Sequence, residues 1–326
     1  MKYVTLPQTD LTVSRVALGS SMIGSRVDRD DSFALLDAFV EAGGTLIDTA
    51  HVYANWSPGP RNISEKTIGA WLKATGARDR LVIATKGGHP EPGHDQVSRL
   101  SPAEIVGDLD ESLDLLGVDC VDLYWLHRDD PSRPAGEMLE VVDEQARLGK
   151  IRHAGCSNWR PRRIREAQAY ASARGLRPFV ASQILWSLAA PNPGVVAWDH
   201  ADMDEEAEEF YATAGISVHA FTSQARGFFT KATAGGLDSL SPKLRHDFEN
   251  PATLARLQRA QQVARDVGTT VTAVVLASIT SRPFVGVPIL GCVNLDQLRD
   301  SLGDVDLTLS PETLRFLFHG DSAGAR

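Results

Sequence analysis

Short apolar runs alternate along this chain with longer stretches in which apolar residues return every three or four positions. The short runs are Val16 to Ser21, Thr45 to Asp48, Leu81 to Thr85, Val121 to Leu126, Ile151 to Ser157, Phe179 to Ile184, Ile216 to Phe221 and Val285 to Leu290. Their length suits strands buried on both faces and is too short for helices. Between them, Phe33, Leu36 and Val40, then Ile68, Trp71 and Leu72, then Leu109, Leu113 and Leu116 fall at helical spacing.

Punctuation fits the same division. Gly43-Gly44 stops the first helix (Asp31 to Ala42), and Ser101-Pro102-Ala103-Glu104 combines an N-cap, an N1 proline and an N3 glutamate. Further helices are expected over Ala135 to Leu148, Pro161 to Arg174, Asp204 to Ala214, Ala252 to Val267, Val271 to Thr280 and Asn294 to Leu302, with Ser310-Pro311-Glu312 capping a last one. Thr222 to Asn250 reads as a long, less regular insertion. Ahead of the first unit, two short apolar stretches flank Gln8-Thr9-Asp10, a hairpin placed to plug the bottom of whatever sheet follows.

Eight strand–helix units with no break in composition predict an α/β chain folded as a single (β/α)8 TIM barrel over 1–326, with long loops at the C-terminal face of its strands. A doubly wound open sheet is the other arrangement of such units, but no GxGxxG follows the first strand. At 326 residues and 43% hydrophobic content, length alone allows one barrel or two ordinary domains.

No run of eighteen apolar residues occurs, and Met1-Lys2-Tyr3-Val4-Thr5-Leu6-Pro7 lacks a signal-peptide core, so a soluble cytoplasmic protein is expected. A formal charge of −9 argues against a nucleic-acid or anionic-membrane surface. Cys120, Cys156 and Cys292 are far apart and read as buried thiols; with no HExxH-like pattern among the nine histidines, no metal is expected.

The chemistry sits where strands end. One strand finishes on Asp48 and is followed by Tyr53, the next runs into Lys86, and the next into His127. In a parallel barrel these four meet at the face where barrel enzymes keep their active sites.

In Asp48-Thr49-Ala50-His51-Val52-Tyr53, Thr85-Lys86 and Leu126-His127 the chain resembles the aldo-keto reductase family, from the first strand to the last helix. The resemblance implies a catalytic tetrad of Asp48, Tyr53, Lys86 and His127, a small carbonyl substrate and a nicotinamide cofactor. It also implies cofactor contacts at Ser20, Ser21, Ser157, Asn158, Gln183, Phe221, Thr222, Gly291, Gln297 and Ser301. The chemistry agrees: hydride addition to a carbonyl makes an alkoxide, Tyr53 can protonate it, and a Lys86 ammonium held by Asp48 would make that phenol more acidic. His127 would orient the carbonyl oxygen, and the hydride must come from a cofactor.

The resemblance favours NADP(H), yet Gly291-Cys292-Val293-Asn294-Leu295-Asp296-Gln297 lacks the cations expected to hold a 2′-phosphate, which makes NAD(H) a serious alternative. Arg226, Arg282 and Arg299 are the nearby candidates to compensate. Trp56, Trp159 and Trp186, with His89 and Arg128, are expected to wall a substrate pocket suited to a sugar or other polyhydroxylated carbonyl compound, or to flat apolar ketones. Two further readings remain at this stage: a Schiff-base lyase using Lys86, and a cofactor-binding regulatory subunit. Oligomeric state is left open.

Overall fold

A computed structural model describes residues 1–94, 96–197 and 199–320. Asp95 in the loop expected over Gly87 to Leu100, Trp198 in that over Trp186 to Met203, and the end of the expected domain, 321–326, lie outside the described residues. Two strands, β1 (Tyr3–Thr5) and β2 (Thr12–Ser14), pair antiparallel as the expected hairpin. Leu6, Leu11 and Val13 pack on the lower barrel interior with Leu46, Val82, Leu123 and Val287, so the hairpin closes the bottom.

The remaining strands close into one parallel barrel. They are β3 (Ala17–Gly19), β4 (Leu46–Asp48), β5 (Val82–Gly87), β6 (Val121–Leu126), β7 (Ile151–Ser157), β8 (Ala181–Leu185), β9 (Ser217–Phe221) and β10 (Gly286–Leu290), in sequence order around the ring. The strand expected to begin at Phe179 starts two residues later. Phe179 and Val180 are buried just before it.

Helices α1 (Arg29–Glu41), α2 (Ile63–Thr75), α3 (Pro102–Leu116), α4 (Ala135–Arg147), α5 (Pro161–Arg174) and α6 (Glu205–Ala214) follow β3 to β8 in turn. The stretch after β9 is more ordered than expected: it forms α7 (Phe228–Gly235) and α8 (Pro242–Phe248), whose Phe228, Phe229, Leu244 and Phe248 are buried. With α9 (Pro251–Val267), α10 (Val271–Thr280) and α12 (Pro311–His319) they make a second apolar core. Helix α11 (Leu295–Leu302) follows β10. Among the described residues no single helix is long and apolar enough to cross a membrane.

The two-residue period of a strand decides what faces the mouth. On β4, Leu46 belongs to the barrel interior and Ile47 to the outer layer, so Asp48 turns inward; on β5, Val82 and Ala84 are interior and Lys86 follows them. On β6, Trp125 fills the barrel and requires Gly155 opposite, where a Cβ would stand 2.6 Å from the indole.

Candidate active site

Three of the four expected side chains form one cluster, with Asp48 and Lys86 buried and Tyr53 half-buried at the mouth. Lys86 Nζ donates to Asp48 Oδ2 at 2.5 Å, to the Tyr53 hydroxyl at 2.9 Å and to the Thr49 carbonyl at 2.7 Å. All three ammonium protons are thereby used. Lys86 and Asp48 are essentially inaccessible, 0% and 2% exposed. The His127 ring stands edge-on to the Tyr53 ring, centroids 5.9 Å apart, and completes the mouth.

Burial sets the protonation states. The Lys86 ammonium would be pushed down by desolvation, but the charges of Asp48 and Tyr53 override that and hold it above its ordinary value. His127 is driven well below its ordinary value, first by burial and then by neighbouring His89, Arg128 and Lys86, and stays neutral. For Tyr53 the expectation from sequence is corrected. Lys86 does draw the phenol down, but burial is the larger effect and Asp48 opposes Lys86, so the net shift is upward.

The expected cofactor contacts divide into two groups. Ser157 on β7 lies in register with Gln183 on β8. Asn158, held in the left-handed region at φ 64°, donates to the His127 carbonyl at 3.2 Å and to Ser157 Oγ at 3.1 Å. Gln183 Nε2 donates to Asp48 Oδ1 at 2.9 Å, which ties it to the tetrad residues directly. Phe221 ends β9 half-buried, with Thr222 after it at φ 57° and Ser21 half-buried after β3. In front of Gly291 the space is open, since a Cβ there would meet no atom within 4 Å.

Ser20 and Ser301 are placed otherwise than expected. Ser20 is fully buried and donates to the Asp48 carbonyl at 3.0 Å, locking β3 to β4. Ser301 is buried between the Gln297 carbonyl and the amide of Gln224. Gln297 Oε1 accepts from the Val293 N–H at 3.0 Å, while its own backbone N–H donates to Asn294, the N-cap of α11, at 2.9 Å. Among the candidate cations, Arg282 pairs with Glu208 under the Phe318 ring, Arg226 with Asp247, and exposed Arg299 with Asp296.

The expected pocket wall needs a larger correction. Trp159 is 0% exposed: the αL turn at Asn158 sends it into the outer layer, against Phe179 and under Arg163, with its N–H on the Arg128 carbonyl at 3.0 Å. Trp186 is likewise buried against Phe284. Trp56, by contrast, is 48% exposed and edge-on to Tyr53 at 5.9 Å. His89 packs on His127 at 4.6 Å and accepts from Arg128, whose Nε donates to Asp199 at 2.7 Å.

Asp199 and His200 were not anticipated. His200 stands 5.7 Å from the Phe221 ring, and burial lowers its own pKa. They belong to the irregular segment after β8, where no periodicity marks which side chains turn inward. Thr49, which contributes only a carbonyl, could be read only from the turn itself.

A parallel barrel with an Asp–Lys–Tyr cluster and a histidine at its C-terminal mouth defines a barrel oxidoreductase. The chain belongs to the aldo/keto reductase family, whose model matches residues 15–317, and it is an NAD(P)H-dependent enzyme. It is 30% identical to "Uncharacterized oxidoreductase YrpG" of Bacillus subtilis over 325 residues, covering 97% of this chain and 95% of the relative. It is 28% identical to "Aryl-alcohol dehydrogenase [NADP(+)]" of Phanerodontia chrysosporium, covering 95% and 83%. A crystal structure of a thermostable aldo-keto reductase with the inhibitor epalrestat shares the fold, with TM-score 0.72, 24% identity and coverage of 97% and 98%.

Proposed function

We propose that this enzyme reduces an aldehyde or ketone to the alcohol, with Tyr53 as the proton donor. The observation that carries this reading is the buried Lys86 ammonium, 2.9 Å from the Tyr53 oxygen and ion-paired with Asp48. When bound, the reduced nicotinamide supplies hydride to the carbonyl carbon. The residues here do the rest. His127, neutral, donates from Nε2 to the carbonyl oxygen; we assign that tautomer because Nδ1 is buried without a partner among the described residues, and an unpaired N–H there would cost more than an unpaired lone pair. As the C=O π pair moves onto oxygen, Tyr53 gives its proton to the alkoxide and the phenolate is held by Lys86.

The groups around the mouth fit the cofactor at its nicotinamide end. Ser157, Asn158 and Gln183 would hold the carboxamide, Phe221 would stack on the ring, and the backbone at Gly291 would admit the phosphates. No Lys or Arg lies in Gly291 to Gln297 to fix a 2′-phosphate. Both NADPH and NADH are therefore expected to bind, with a preference below about tenfold, since a single charge-assisted contact is worth more than that.

For the substrate we favour a sugar or other polyhydroxylated carbonyl compound. The Arg128–Asp199 pair offers donors and an acceptor side by side, and one rim indole, Trp56, offers an apolar face. An aromatic carbonyl is the second reading, supported by the name of one relative, the aryl-alcohol dehydrogenase. The test is titration with NADPH and NADH, then a panel of sugars, glyoxals and aromatic ketones followed by cofactor absorbance. Oxidation of cofactor by no carbonyl in the panel would defeat the proposal.

A further inference from the structure

The loop that carries Tyr53 is gripped from its outer side. His51, two residues before Tyr53, is 5% exposed, and its backbone N–H donates to the Lys86 carbonyl at 2.9 Å. Its ring turns away from the mouth toward α3. There Nε2 lies 2.7 Å from Glu111 Oε2 and Nδ1 lies 3.7 Å from Asp108 Oδ1. Asp108 and Glu111 are three residues apart and share one face of that helix.

Asp108 holds the neighbouring segment as well. It accepts from the Gly88 N–H at 2.8 Å, two residues beyond Lys86. Asn62, at the start of α2, donates to Glu111 at 3.1 Å and closes the far end of the Tyr53 loop on the same anchor. Helix α3 thus fixes the backbone on either side of the Tyr53–Lys86 contact. The Tyr53 phenol itself makes one hydrogen bond among the described residues, to Lys86.

We propose that His51 is a positioning residue: its hydrogen bond to Glu111 on α3 sets the loop so that the Tyr53 oxygen stays within hydrogen-bond reach of Lys86. The inference rests on the reading of Tyr53 as proton donor. A general acid acts only at contact distance, and a displacement near 1 Å costs about a hundredfold in rate.

The test is a cycle of His51→Ala and His51→Gln in the wild-type and Tyr53→Phe backgrounds, reading kcat with one carbonyl substrate, cofactor Kd and the unfolding midpoint. His51→Ala is expected to lower kcat about tenfold to a hundredfold while cofactor Kd changes less than twofold. His51→Gln, whose amide nitrogen can replace Nε2 against Glu111, is expected to recover most of the loss. In the Tyr53→Phe background His51→Ala should cost nothing more, because a group acting through Tyr53 has nothing left to position.

Undiminished kcat in His51→Ala, with Tyr53→Phe inactive, would overturn the proposal and leave the role of Tyr53 standing. An equal loss in both backgrounds would make His51 merely structural and also overturn it. Full turnover by Tyr53→Phe would overturn the reading beneath it. Should His51→Ala fail to fold, Glu111→Ala decides in the same way, since it removes the acceptor of the His51 ring and that side chain is 55% exposed.

Discussion

Replacing Glu65 by Gln should remove a pH dependence of stability that the fold builds in behind Lys86. Glu65 is fully buried on α2, beside β5, and Thr85 donates to its Oε1 at 2.5 Å. Burial is the largest influence and raises its pKa from 4.5 to about 7, with Thr85, His51 and Ser112 pulling it back. A carboxyl whose folded value exceeds its unfolded value binds its proton more tightly when folded. Its contribution is therefore complete below pH 4.5 and is lost as pH rises toward and through 7. At 1.36 kcal/mol per unit the difference amounts to about 3 kcal/mol, a large part of a typical protein's stability. Urea unfolding of wild type and Glu65→Gln at about pH 5, 6, 7 and 8 measures it. The wild type should lose stability relative to the variant by about 2.5 kcal/mol across that range, the remainder lying below about pH 5, whatever constant offset the amide introduces. Parallel stability curves would refute the assignment of a protonated buried carboxyl.

Three further outcomes follow from the same geometry. Lys86→Met should lower turnover at least about a hundredfold, and borohydride should trap no substrate on wild-type Lys86, because an ammonium bonded to Asp48, Tyr53 and Thr49 has no lone pair for a Schiff base. The pH profile of kcat should lack an acid limb near the ordinary imidazole value, since His127 is already neutral there, and should fall only on the alkaline side as the raised Tyr53 phenol ionises; an inflection near pH 6.5 that vanishes in His127→Gln would contradict this. Trp56→Ala should change KM with little effect on stability, whereas Trp159→Ala should cost about 3–5 kcal/mol of stability as a core deletion, read by denaturant unfolding.

Strand by strand, the barrel was open to inspection in the sequence because buried parallel strands are short and almost wholly apolar, so that Asp48 and Lys86 stand out at the ends of such runs. The alternation that turns Lys86 inward also turns Thr85 outward to Glu65. Where alternation stops, the sequence no longer shows which way a side chain turns. Trp159 lies two residues past Ser157, yet the positive φ of Asn158 breaks the register and puts the indole in the outer layer.

The insertion after β9 hid its two helices because α7 and α8 are only eight and seven residues long, too short to display a period, and owe their order to Phe228, Phe229 and Phe248 packing together. The acidity of Tyr53 was misjudged for a different reason. A sequence displays the charge of Lys86 but not the loss of water around the phenol, and here the second effect is the larger.

The most direct test of Tyr53 as proton donor is single-turnover reduction of a carbonyl by Tyr53→Phe with reduced cofactor already bound. Cofactor affinity should stay within about twofold of wild type while the reduction step slows by at least about a hundredfold, the usual worth of a positioned general acid. A variant that binds cofactor normally and reduces its substrate at the wild-type rate would contradict the account.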